Sequence, residues 1–535
     1  MLWRFLLPSS HSHRLSLLPA APGQGCRAAD TLQEWIDRHM PAEPVEAALC
    51  LAHQLRLRLE QDLDPGARMA VLGTAFDRLD DLLHPIETSL TNISLPLDSA
   101  TQRKVLAASR LLKRLAVAYG LLVDAAEQRW LTLGFAPFLR LAALRQLQAL
   151  ARRQALAYRI YAPGPRGAWL RIHALYRSSR ERNFATMSLD GDGTRLEQIY
   201  VDALLLALAE PARLQPSQLA EAQDYIRRYG DHALLKDASA GASCRSLAPG
   251  CFLIRAGLDA PAYPLSGKRS TRLTTSDQIL DCRPLLDLMA GQVKSLEEGS
   301  RVSAIGLPRS ATQPFYPELL KRLAERWWSQ PNRRHLRMRF LPRARVIAGF
   351  HPVWEQLGRR RSGVSAPSLV GEAEWSISNE SADGFGLRMM GSASPTVHVG
   401  EILCVQPRNQ DKVHLGIARR ARAMSATTLE IGVQVLAPAP QSIKVYSAHR
   451  VAVGKAEDGA ATRGILLAHV PSQQGKPALL LPFGQLRAGQ RVVVTGSDQA
   501  GMWQLGEVLE HNHTWELFAA TPVDCQPVSP WGLAR

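Results

Sequence analysis

The 535-residue chain carries 64 Lys and Arg against 48 Asp and Glu, a formal net charge of +16, and 46% of its residues are hydrophobic. Such a content supports real cores and excludes global disorder, and the length implies roughly three or four domains. No run approaches the ~18 uninterrupted apolar residues of a membrane-spanning helix; stretches such as Ala203 to Leu208 are short and bounded by charge. The basic surplus favours anions, whether nucleic acid, nucleotides, acidic proteins or anionic lipid. Arg- and Ala-rich coding produces the same surplus, so local clusters carry more information than the sum.

Residues 1–29 contain no Asp or Glu and several Arg, Ser and Leu. Pro8 and His11-Ser12-His13 interrupt any apolar core of signal-peptide length, so residues 1–30 read as a disordered leader. From about Thr31 to 236 the pattern is helical. Val105, Ala108, Leu112, Leu115, Tyr119 and Leu122 recur at steps of three and four, one apolar stripe along a helix. Asp98-Ser99 supplies N-cap chemistry just before it. Further helices are expected near 44–63, 65–83, 137–160, 196–209 and 215–229, giving an all-α bundle or helical array. A small, flexible stretch, Asp237 to Ser243, then reads as a linker. Residues 245–330 read as a small mixed α/β unit, with strands at Phe252 to Arg255 and Thr271 to Thr275 and helices near 283–297 and 314–329.

From Arg345 the period changes to two. Six short strands, near 345–348, 375–377, 387–389, 402–405, 414–417 and 429–435, are separated by Gly, Pro, Asn and Ser, which suits a six-stranded antiparallel barrel over 331–440. Similar texture over 441–525 predicts a second, C-terminal β module, followed by a tail at 526–535. The fold class expected is therefore multidomain α+β.

Seven cysteines lie at wide spacings without a C-x-x-C pair. That argues against a disulfide framework or structural zinc and fits a reducing cytoplasm. No phosphate loop, G-x-G-x-x-G, nucleophile elbow or H-E-x-x-H is present. His511 and His513 alternate near Glu507 and Glu510, which reads as an exposed β-turn rather than a metal or acid/base cluster. A non-enzymatic protein without cofactor or metal is the expectation.

The chemistry concentrates between 333 and 384. Nine arginines lie between 333 and 361, with Glu355 the only acidic residue there. Arginine grips phosphate bidentately, pairs with the O6 and N7 edge of guanine and stacks on purine faces. Arg333 and Arg337 form an R-x-x-x-R, with Arg334 a third cation beside them. The spacing recurs at Arg339/Arg343 and elsewhere, so it has little specificity alone. Asn379-x-Ser381-x-x-Gly384 is rarer, expected roughly once in a few thousand residues. Asn379 and Ser381, two apart on an extended chain, share a face. They offer donors and acceptors to a base edge or phosphate. Gly384 permits a tight turn or a close backbone approach.

The order of these motifs and their β setting resemble the PilZ domain over about 331–438. The resemblance implies a receptor for the bacterial second messenger cyclic di-GMP. Arg333, Arg334 and Arg337 would contact guanine and phosphate, and Asn379, Ser381 and Gly384 would form the barrel side of the site. The spacing from Arg337 to Asn379 exceeds that expected of the family, and His351 to Gly371 reads as an inserted loop. The partners implied are cyclic di-GMP and an unidentified protein met through the helical half, which would carry the output. A nucleic-acid-binding protein using the same arginines is the alternative; the aromatics are not interleaved with them as a stacking platform requires. A scaffold whose PilZ-like motifs bind nothing is a third reading.

Overall fold

In the computed structural model of the protein, the residues described are 24–61, 63–128, 135–188, 193–238, 248–264, 273–329, 343–361, 373–381, 383–389, 396–408, 412–425, 428–448 and 461–523. The chain divides into two compact units, 1–93 with 97–332 and 94–96 with 333–535.

Among the described residues the first unit opens with nine α-helices: α1 (Gln24–His39), α2 (Pro44–Leu59), α3 (Pro65–Asp77), α4 (Leu79–Ser89), α5 (Ser99–Gln128), α6 (Phe135–Arg159), α7 (Ala168–Glu181), α8 (Leu196–Leu208) and α9 (Pro216–Tyr229). The six-residue stripe predicted for α5 is buried throughout. The Asp98 carboxylate accepts from the Thr101 amide at 2.8 Å, as a helix start requires. Asp64 caps α3 in the same way, accepting from the amides of Gly66 and Ala67 at 2.8 and 3.0 Å, with Pro65 in the first helical position. Where periodicity suggests one helix over 65–83, the structure has two, α3 and α4, meeting at Arg78.

A four-stranded antiparallel sheet follows, made of β1 (Leu234–Asp237), β2 (Cys251–Arg255), β3 (Tyr263–Pro264) and β4 (Asp277–Asp281) in the order β1-β4-β2-β3. It is accompanied by α10 (Arg283–Glu297) and α11 (Phe315–Trp328). Of the strand expected at Thr271 to Thr275, residues 271 and 272 lie outside the described residues and 273–275 are not in a strand; β4 begins at Asp277. Residues 274–277 form a turn, closed by the Asp277 carboxylate on the Thr274 amide (2.9 Å) and the Asp277 amide on the Thr274 carbonyl (3.1 Å).

The second unit contains two closed six-stranded barrels. The first is built from β5 (Arg343–Ala348), β6 (Ala373–Ser381), β7 (Gly384–Met389), β8 (Ile402–Pro407), β9 (His414–Ala423) and β10 (Leu429–Pro438), closing in the order β10-β7-β6-β5-β8-β9. All six strands match the predicted positions. Of the inserted loop expected at His351 to Gly371, residues up to 361 form α12 (Phe350–Arg361), and 362–371 lie outside the described residues. Trp354 explains why α12 is a helix: its indole donates to the Ile443 carbonyl at 2.9 Å and its ring lies 4.9 Å from the Arg463 guanidinium.

The second barrel comprises β11 (Gln441–Ser447), β12 (Thr462–Leu467), β13 (Ala478–Pro482), β14 (Arg491–Thr495), β15 (Gly501–His511) and β16 (Trp515–Pro522), in the order β11-β12-β13-β16-β15-β14. Its own core gathers Val445, Leu479, Trp503 and Phe518. A separate cluster runs from one barrel to the other, combining Ile347, Ile402, Leu415 and Ile417 with Val353 and Leu357 of α12 and with Ile465, Leu480 and Leu517. The β5-β8-β9 side of the first barrel is therefore covered, and its β6-β7-β10 side carries the motif.

Candidate functional site

The motif sits on the β6–β7 hairpin, and a single irregularity decides where its side chains point. Trp375 and Ile377 face the barrel interior, opposite Met389 and Leu387. Strict alternation would send Asn379 and Ser381 inward as well. A β-bulge between Ile377 and Asn379 inserts Ser378 and reverses the parity. Asn379 then pairs with Gly386 and Ser381 with Gly384, both on the outer surface. The bulge is held by Ser378, whose hydroxyl donates to the Gly386 carbonyl at 3.0 Å and accepts from Asn379 Nδ2 at 3.1 Å. Ser381 Oγ donates to the Gly384 carbonyl at 3.3 Å.

The glycines have distinct reasons. A Cβ on Gly384 would stand 2.0 Å from the Val433 carbonyl oxygen, so the β10 backbone approaches too closely for any side chain. A Cβ on Gly386 would meet the Asn379 amide at 2.6 Å, because that amide lies across the glycine. Gly384 thus serves the close approach rather than a turn with a left-handed backbone.

Strand register arranges the outer face into rows. Ser376, Arg388, Glu430 and Arg422 lie side by side across β6, β7, β10 and β9. The next row is Asn379, Gly386, Gly432 and Arg420, and the third joins Ser381, Gly384 and Gln434. At the centre, Gly386 and Gly432 bear no side chains of their own; the Asn379 amide lies across Gly386, and guanidinium groups fringe the face. Arg388 and Glu430 form an ion pair, with Nε 3.0 Å from Oε1. Gln434 accepts from Arg419 Nε at 2.7 Å, and Arg419 in turn makes a bidentate pair with Glu510 of the second barrel. At the barrel mouth, burial holds the His414 imidazole below its ordinary range, while Glu380 acts the opposite way.

Asn379, Ser381 and Gly384 are brought together on one open surface. Arg333, Arg334 and Arg337 lie outside the described residues, as does Arg339 of the competing pair; Arg343 begins β5 and is exposed. The sequence reading misses Ser378, Arg388, Arg422, Glu430 and Gln434. The alternation Gly384-Phe385-Gly386-Leu387-Arg388 contains the signal for Arg388. The others depend on cross-strand register, which one chain segment does not encode. The Glu510 carboxylate, read near His511 and His513, is engaged by Arg419; among the described residues no His, Cys, Asp and Glu cluster could hold a metal. No described helix is long and apolar enough to cross a membrane.

A closed six-stranded antiparallel barrel carrying N-x-S-x-x-G outward on its second and third strands defines a PilZ domain. Family comparison agrees: residues 359–441 match "Cyclic-di-GMP receptor FimW, middle PilZ domain" and residues 30–240 match "Cyclic-di-GMP receptor FimW, N-terminal domain". These two stretches of the chain are similar to domains of one receptor, the second of them a PilZ domain. The curated relative "Cyclic-di-GMP receptor FimW" of Pseudomonas aeruginosa is 21% identical over 328 residues, 60% of this chain. The chain spans about half of that relative's length, 51%. The PilZ match starts within α12 and so leaves the Arg333–Arg337 segment outside it.

Proposed function

We propose that the protein is a non-enzymatic receptor that binds cyclic di-GMP on the outer β6-β7-β10 face of its first barrel. The observation that carries the reading is the Ser378 bulge, which turns Asn379 and Ser381 outward beside Gly386 and Gly432. The Asn379 amide, lying across Gly386, offers a donor and an acceptor to a base edge, and Gly432 leaves space for the ring beside it. Cations at Arg388, Arg420 and Arg422 suit a doubly anionic ligand. The segment with Arg333, Arg334 and Arg337 precedes β5 in the chain. In this reading it supplies the remaining phosphate and guanine contacts. Output would pass to a protein partner through the helical half, in the cytoplasm where the messenger is made.

Isothermal titration of the full chain tests the assignment. Cyclic di-GMP is expected to bind, and Arg333→Ala and Arg337→Ala to weaken binding by about tenfold each, the cost of one charged hydrogen bond. Absence of heat with the wild-type protein would overturn the reading; unchanged affinity in both variants would remove the arginine segment from the site.

A further inference from the structure

Glu430 is an unexpected group on a face otherwise suited to anions. It stands in the outward row between Arg388 of β7 and Arg422 of β9, one row from Gly386 and Gly432. Its side chain is only 22% exposed, against 53% for Arg388. Both bonds from Arg388, from Nε and from Nη2, land on Oε1. The ion pair thus fixes the carboxylate and leaves Oε2 outside it. Residues two apart on a strand are separated by about 7 Å, so a purine lying over Gly432 beside the Asn379 amide would bring an edge to Glu430 and Arg388.

The two groups present complementary chemistry. A carboxylate only accepts, whereas guanidinium only donates. Guanine offers N–H donors at N1 and N2 on one edge and acceptors at O6 and N7 on the other. Adenine places an acceptor at N1 and carries no amino group at C2. A carboxylate fixed opposite that edge bonds guanine and repels adenine. A site built to bond such a group discriminates strongly against the analogue that lacks it.

We infer that Glu430, held by Arg388, is the guanine-selecting residue of this face. The inference rests on the cyclic di-GMP reading and adds the base preference and its source. Arg388 positions the carboxylate and lies beside the acceptor edge of the same base.

The test titrates the full chain with cyclic di-GMP and cyclic di-AMP, using wild type, Glu430→Gln and Glu430→Asp. Wild type is expected to prefer the guanine ligand. Glu430→Gln keeps the shape but leaves one acceptor oxygen to serve both Arg388 and the base, and puts a donor NH2 in place of the other. It should weaken cyclic di-GMP by about ten- to a hundredfold, leave cyclic di-AMP unchanged or slightly improved, and so narrow the preference. Glu430→Asp, which withdraws the carboxylate by one methylene, should shift affinity in the same direction and serves if the Gln variant does not fold. If wild type binds cyclic di-GMP and both variants keep its affinity and preference, Glu430 is only half of a surface ion pair and the inference falls. If wild type binds neither dinucleotide, the receptor reading itself falls.

Discussion

Gly384→Ala should loosen the first barrel even without ligand. The added methyl would sit 2.0 Å from the Val433 carbonyl oxygen, 3.0 Å from its carbon and 3.2 Å from Gln434 Cα. The obstacle is backbone, so no rotamer change relieves it, and β7 must move away from β10 by more than 1 Å (ordinary contact begins near 3.4 Å). Overpacking of this kind costs about 1–3 kcal/mol. Opening the ladder at Gly384–Gln434 and Phe385–Val433 adds about 0.5–1.5 kcal/mol per hydrogen bond lost. With both positions opened the local loss is therefore about 2–6 kcal/mol. Gly432→Ala is the control, because its methyl would meet Arg420 Cβ at an ordinary 3.6 Å, and it should change stability by no more than about 0.5 kcal/mol. Hydrogen exchange on peptides covering β7 and β10 reads these local values, which a global melt of two units would blur. Equal protection in the two variants would refute the close-approach argument and return Gly384 to a role in ligand contact alone.

Ser378→Ala removes both hydroxyl bonds that hold the bulge; it should cost about 1 kcal/mol and weaken cyclic di-GMP severalfold in the same titration, whereas deletion of Ser378 should abolish binding by turning Asn379 inward. Arg419→Ala breaks a half-buried bidentate pair with Glu510 and should lower the stability of the barrel pair by about 1–2 kcal/mol, measured by chemical denaturation of the second unit's signal. In the helical unit, burial pushes the Asp202 carboxyl up to about 7. Because the folded value exceeds the unfolded one, the stability it contributes is complete at low pH and drains as pH rises toward 7. Asp202→Asn should flatten that decline and be the more stable protein at pH 8 by thermal melting; a parallel decline in both would contradict it.

The barrel was legible because its strands are short, alternate cleanly and are punctuated by turn residues. The α5 stripe was legible because six apolar residues at helical spacing have one solution. Helix α12 was not. Its apolar residues Val353, Trp354 and Leu357 are few, its arginines resemble a loop, and it is stabilised by the second barrel, a tertiary effect that local pattern does not contain. In the site, the Asn379–Ser381 spacing correctly gave a shared face. Which face depended on one extra residue at Ser378, and no alternation rule foresees a bulge. Glu430 and Gln434 became visible only through their register with Arg388 and Gly384.

Cyclic di-GMP titration of the full chain and of the paired variant Asn379→Ala, Ser381→Ala decides whether the outer face of the first barrel binds the nucleotide. Both side chains face outward and fill no core, so the variant should fold as wild type does. Wild type is expected to bind and the variant to lose at least about a hundredfold in affinity, the sum of two ligand hydrogen bonds. Wild-type affinity in a folded variant would place the nucleotide elsewhere on the protein and contradict the account.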